Sequence, residues 1–161
     1  MNQRIVASPI GSLLLGTQGG ALVQVRLFEP GEEITVFCIE DPILDETQKQ
    51  LTQYFAGERT QFDLPILMRG TAFEQAVWLQ LLEIPFGRAT SYGALAEKLG
   101  KVSASRAVGR ACSRNPLLIV VPCHRVVAAS GWLTGFAAGM AAKRTLLMLE
   151  GHRIERDRMT V

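Results

Sequence analysis

The apolar residues of this chain change their period near residue 70, and that change limits the fold to strands first and helices after. Residues 4–28 carry short apolar runs, Ile5-Val6-Ala7, Leu13-Leu14-Leu15 and Ala21 to Leu27, broken by Ser8-Pro9-Ile10-Gly11 and Gly19-Gly20. Glycine and proline clusters between such runs form turns, so the pattern predicts a small antiparallel meander. Glu29 to Glu33 is a polar loop, and Thr35 to Ile39 is a further strand candidate. Leu44, Leu51, Tyr54 and Phe55 then recur at helical intervals until Gly57, predicting a helix over 45–55. Leu64 to Gly70 has no helical pattern and reads as a linker or edge strand, which places a domain boundary near Gly70.

Beyond it the period is helical. Thr71 is an N-cap with Glu74 three residues on, and Phe73, Val77, Trp78, Leu81 and Leu82 make an apolar stripe that must end before Pro85-Phe86-Gly87. Two helices are predicted over 92–99 and 103–115, with Ser91 and Ser103 as N-caps, Gly100 as a stop and Pro116 as a terminator. Two helices about a glycine turn are the outline of a helix-turn-helix. The second carries Arg106, Arg110 and Arg114 four residues apart, on one face. A last helix over 141–150, with Leu146, Leu147 and Leu149, closes at Gly151 and leaves a charged tail. The expectation is an α+β chain: residues 1–70 a sheet with one helix, residues 71–161 mostly helical.

Composition narrows the class. Hydrophobic residues make up 48% and charged residues 20%, which excludes a disordered chain. No apolar run approaches the roughly 20 residues of a membrane span, and Met1-Asn2-Gln3-Arg4 does not open a signal peptide, so a cytoplasmic protein is expected. Three cysteines without CxxC spacing and two histidines give neither a disulfide framework nor a metal site, and no cofactor is expected. Charge is uneven. Residues 1–72 hold five basic and nine acidic groups, whereas residues 88–125 hold seven basic groups against Glu97 alone. A basic segment of that kind suits a polyanion, although a solvated basic face has the same composition.

The apolar run Pro116 to Val121 leads into Pro122-Cys123-His124-Arg125-Val126. Cysteine reacts as its thiolate, and an adjacent histidine and arginine can lower its pKa below about 8.5. Neighbours on a strand face opposite ways, so the residues cooperate only if the chain turns there, as Pro122 allows. A buried inert thiol beside a surface histidine fits the same five residues.

Pro-Cys-His-Arg-Val, together with Ser91-Tyr92-Gly93 and Arg106-Ala107-Val108-Gly109, resembles the methylated-DNA–protein-cysteine methyltransferases, the O6-alkylguanine-DNA alkyltransferase family. The resemblance is strong from Phe73 to Gly151 and mainly topological before that. It implies a ribonuclease H-like first domain and a winged helix-turn-helix second domain. It implies further that Cys123 accepts an alkyl group, once and irreversibly, from O6-alkylguanine, with O4-alkylthymine a second substrate left open. His124 would ionise Cys123 through a water, and Glu150 would orient His124. Tyr92 would protonate guanine N3, Arg106 would fill the duplex where the base has flipped out, and Asn115 would tie the helix pair to the active turn. The recognition helix would enter the minor groove. Arg110, Arg125, Ser103, Ala137, Ala138 and Trp132 are expected on the DNA- or substrate-facing side. A monomer is implied, with cooperativity on DNA left open.

Each residue also has a plainer reading. Tyr92 fits a core tyrosine, Arg106 a phosphate contact, Asn115 a helix cap, and Trp132 a packed aromatic as readily as a pocket lid. Glu150 could pair with Lys143 or Arg144, and Cys38 and Cys112 fit small core positions. The family usually has Tyr or Phe, a small residue and then Gly-Gly-Leu after the reactive turn; here the stretch is Phe136-Ala137-Ala138-Gly139-Met140. Ala138 in place of glycine implies less room for bulky O6 groups. Three rivals remain at this level: a non-catalytic sensor of alkylated bases, a cysteine hydrolase, and a helix-turn-helix regulator.

Overall fold

The computed structural model describes residues 1–34 and 40–160, and the chain divides into two compact units. The first is Met1–Arg69 with Pro116–Val120; the second is Gly70–Asn115 with Val121–Val161.

The first unit is built on the antiparallel sheet β1 (Asn2–Val6), β2 (Leu13–Gln18), β3 (Ala21–Leu27), in that order. Leu13, Leu14 and Leu15 on the central strand are all fully buried, so both faces of β2 are covered. Helix α1 (Pro42–Phe55) packs on the sheet through Leu44, Leu51 and Tyr54. It starts earlier than its apolar spacing alone suggests, because Asp41 caps the amides of Ile43 and Leu44 and Pro42 suits the first turn. Asn2 and Thr17 donate to the same carboxylate. Burial opposes the charge on Asp41, but these four hydrogen bonds outweigh it and hold the carboxyl at about 2. The strand expected over 35–39 lies outside the described residues.

Residues 64–70 make one parallel bridge, Leu22 to Ile66. The stretch 116–120, expected within the second domain, clusters with the first because it borders β3: Val25 donates to Pro116, Leu118 donates to Val25, and Val25 bridges Leu117. It closes in a γ-turn about Ile119, whose φ of 73° is strained for a β-branched residue.

In the second unit α2 (Ala72–Leu82) opens on a complete Thr71–Glu74 capping box. Its Trp78, almost fully buried, donates from Nε1 to the Ala111 carbonyl of α4 (Ser105–Ser113) at 2.9 Å. Helix α3 (Tyr92–Lys98) is capped by Ser91 and ends in a Schellman turn, with Gly100 at φ 72° and the amides of Gly100 and Lys101 bonded back to Glu97 and Ala96. Ser103 is not the cap expected of it. Ala104 donates to Lys101 to close a separate turn, so α4 starts at Ser105 behind Ala104, with no side-chain cap, and Ser103 is exposed in the loop.

The two-residue strands β4 (Thr90–Ser91) and β5 (Val126–Val127) pair in parallel, which sets the start of α3 beside the end of the Cys123–Arg125 turn. Helix α5 (Met140–Leu149) buries Leu146 and Leu147. The charged tail is a hairpin, β6 (Arg153–Glu155) and β7 (Arg158–Thr160), turned by Arg156 and Asp157, both at positive φ. Its Ile154 and Met159 pack on Val127, Leu133 and Leu147. Among the described residues no helix is long and apolar enough to cross a membrane.

Candidate active site

Pro122 makes the turn that cooperation between Cys123 and its neighbours requires. Its φ of −82° and ψ of 64° form an inverse γ-turn, the Cys123 amide donates to the Val121 carbonyl at 2.8 Å, and Cys123–Arg125 follow as one 3-10 turn. Asn115, just past the end of α4, donates from Nδ2 to the Val121 carbonyl at 2.7 Å and to Cys123 Sγ at 3.2 Å.

His124 and Glu150 are both buried, with Nε2 and Oε2 2.6 Å apart. Burial lowers the His124 pKa, and with the nearby charges of Arg125 and Lys143 it outweighs the raising effect of Glu150, which favours the neutral imidazole. With Nε2 facing a carboxylate, Nδ1 is the nitrogen left without a partner among the described residues.

Arg125, expected on the DNA-facing side, is buried instead. It is 6% exposed, donates to both Glu150 oxygens (Nε to Oε1 2.8 Å, Nη2 to Oε2 3.1 Å) and to the Ile84 carbonyl, and lies over Phe86. Its charge is therefore spent on Glu150, while Lys143 bonds the Val126 and Thr134 carbonyls and Arg144 pairs with Asp157. Burial pushes Cys123 up to about 11; the Asn115 hydrogen bond and the Lys143 charge pull in the other direction. Cys112, on the buried face of α4, is pushed up to about 12.

An open groove of about 550 Å³ is lined by Tyr92, Ser105, Arg106, Gly109, Phe136 and Ala137, among others. Phe136 connects groove and turn, with its ring 6.4 Å edge-on to His124. The Tyr92 hydroxyl lies 2.8 Å from Thr134 Oγ1, and burial raises its pKa. Arg106 and Arg110 are exposed on one face of α4, with Val108, Ala111 and Cys112 buried behind them. Arg114 follows as the C-cap, 3.9 Å from Glu74. Ala137 and Ala138 are the central residues of a turn closed by Gly139 N to Phe136 O, and Ala138 has no positive φ, so its methyl group is carried without strain. Trp132 is half exposed and sits under Arg158 beside the hairpin, and it is not among the residues that line the groove. Ser103 and Ala138 are not among the groove's lining residues either.

Residues 72–152 match the family described as 6-O-methylguanine DNA methyltransferase, DNA binding domain, and residues 1–68 match its ribonuclease-like domain. The chain belongs to the 6-O-methylguanine DNA methyltransferase family. The methylated-DNA–protein-cysteine methyltransferase of Mycobacterium bovis is 45% identical over 159 residues, 98% of this chain and 96% of that protein. That of Methanosarcina acetivorans is 43% identical, over 94% of this chain and 99% of its own length. The crystal structure of Mycobacterium tuberculosis OGT in complex with DNA superimposes with a TM-score of 0.85 at 45% identity, covering 93% of this chain and 92% of that one. As a family member the protein repairs DNA by transferring a methyl group to a cysteine.

Two residues of the site escaped the sequence reading. Lys143 is fully buried and donates to the Val126 and Thr134 carbonyls at 2.6 and 3.1 Å, with Tyr92 Oη 3.5 Å away. Thr134 holds the Tyr92 hydroxyl. The signal for Lys143 was its place on α5, at helical spacing from Leu146, Leu147 and Glu150 on the buried face.

Proposed function

We propose that Cys123 is the acceptor, and that the protein removes methyl and larger alkyl groups from O6 of guanine in double-stranded DNA, one lesion for each protein molecule. The observation that carries this reading is the hydrogen-bonded turn in which Asn115 bonds Cys123 Sγ and the next residue, His124, is paired with Glu150. Cys112 is a buried free thiol as well, on the inner face of α4 rather than in that turn.

The proposed reaction runs through these residues. The Cys123 proton leaves toward His124 Nδ1 through a water, and Glu150 stabilises the imidazolium. The sulfur attacks the alkyl carbon, a C–S bond forms, and the C–O6 bond breaks with its electron pair going to the guanine. Tyr92 gives its proton to guanine N3, and the original thiol proton ultimately replaces it, so thiol plus alkylguanine become thioether plus guanine. Nothing then cleaves the thioether.

A stacked base cannot reach a side chain that is 3% exposed, so the nucleotide must flip, at about a few kcal/mol. Arg106, exposed and lining the groove, would fill the gap it leaves. Arg110 contacts the backbone, and α4 reads the minor groove, where recognition is largely independent of sequence. A protein with free thiols suits a reducing compartment, and we place it in the cytoplasm as a monomer.

Intact mass after incubation with an O6-methylguanine duplex tests the reading. The expected result is one added methyl, about 14 Da, on Cys123 and none on Cys123→Ser, because the thiolate is the nucleophile. Repeated turnover of substrate means a hydrolase, and binding without any mass change means a sensor.

A further inference from the structure

We propose that Lys143 is the fixed positive charge of the acceptor pocket, a buried ammonium held by backbone carbonyls beside Tyr92 that favours the Cys123 thiolate. The proposal rests on the assignment of Cys123 as acceptor and adds the source of the charge that makes it reactive.

Three observations point to it. The Lys143 ammonium is completely buried, yet among the described residues no carboxylate pairs with it; its partners are the Val126 and Thr134 carbonyls and the Tyr92 hydroxyl. Glu150, two turns along the same helix, is taken by His124 and Arg125. A buried cation without an anion is costly, and the cost falls if an anion forms nearby. Val126 directly follows the Cys123–Arg125 turn, so its carbonyl anchors the ammonium to the segment that carries the sulfur.

The titratable groups around Lys143 are Tyr92 on α3, Cys112 on α4, and Cys123 and His124 on the turn. Burial pushes Lys143 down to about 8, while negative charge on Cys123 or Cys112 pushes it back up. Reciprocally, the ammonium favours the Cys123 thiolate. Lys143 is thus a positioning residue: no bond to it forms or breaks, and it keeps its proton throughout the transfer.

The test is the rate of Cys123 alkylation by iodoacetamide in the full-length protein without DNA, read by peptide mass, with Cys112 followed in the same digest. In the wild type the rate is expected to climb with pH and flatten near pH 8, where Lys143 gives up its proton. Lys143→Met should slow Cys123 at pH 7.5 by about tenfold or more, the effect of removing a neighbouring opposite charge. Lys143→Arg, which stays charged, should keep climbing past the wild-type break. A Lys143→Met protein that reacts as fast as wild type overturns the proposal. If that variant does not fold, a wild-type profile with no break near pH 8, or an identical one for Lys143→Arg, overturns it instead. Failure of the acceptor assignment would appear separately, as a methyl group found on another residue after reaction with DNA.

Discussion

Glu150 Oε2 lies 2.6 Å from His124 Nε2, and the same carboxylate takes two bonds from Arg125. One acid therefore does two things. It fixes the imidazole so that Nδ1 is the acceptor, and it neutralises the arginine that stands two residues from the thiol. The sequence neighbour of Cys123 that looked like its activator is thus a support for Glu150.

Glu150→Gln should leave Arg125 buried and unpaired, at about 3–5 kcal/mol of stability. Urea denaturation measures it, and single-turnover methyl transfer should slow as well. Adding Arg125→Met should recover part of the stability but not the rate, since only the first loss comes from the stranded charge.

Arg106→Ala and Arg110→Ala should each weaken binding to duplex DNA and reduce the slope of log affinity against log salt by about one. Arg125→Lys should leave that slope unchanged and lower the melting temperature, because the arginine faces Glu150. A changed slope in Arg125→Lys would return that residue to the DNA surface.

Asn115→Ala removes the hydrogen bond that lowers the Cys123 pKa, so the thiol should ionise at still higher pH. Iodoacetamide kinetics across pH read this directly. Equal kinetics in the two proteins would remove Asn115 from thiol activation.

Asp41→Ala should cost about 1–2 kcal/mol at neutral pH through loss of the α1 cap. The folded pKa lies below the unfolded one, so the carboxylate's contribution is complete above about pH 4 and is lost as pH falls toward about 2. The gap between variant and wild type should narrow over that window in acid denaturation.

Ala138→Gly should raise the transfer rate for a benzyl group relative to a methyl group, since it removes a methyl from the turn beside Ala137 and Phe136. Competition between the two lesions measures the ratio.

Much of this was legible because local signals agreed with the fold. Thr71 with Glu74, Ser91 and Gly100 punctuate α2 and α3 where their chemistry requires. Ser103 misled because a serine before a helix reads as a cap, although a turn closed on Lys101 moves the helix start onward. The hairpin was hidden by charge: only Ile154 and Met159 face inward, and its turn is Arg156-Asp157 rather than Asn-Gly. Arg125 and Lys143 failed for a shared reason. A charged residue is read as surface, and a partner such as Glu150 or a backbone carbonyl brought from elsewhere in the unit is invisible to local spacing.

Both hydrogens of one amide group, the Nδ2 of Asn115, are committed, one to the Val121 carbonyl and one to the sulfur. The end of the helix that carries Arg106 and the proposed acceptor sulfur are thus joined through one side chain. A displacement of that helix by much more than the slack of a hydrogen bond would uncouple the sulfur from its only side-chain donor among the described residues. Under the proposed assignment, finding damage and repairing it are not successive tasks of separate parts but two ends of the same short arm, and whatever seats the helix on DNA also aims the thiol.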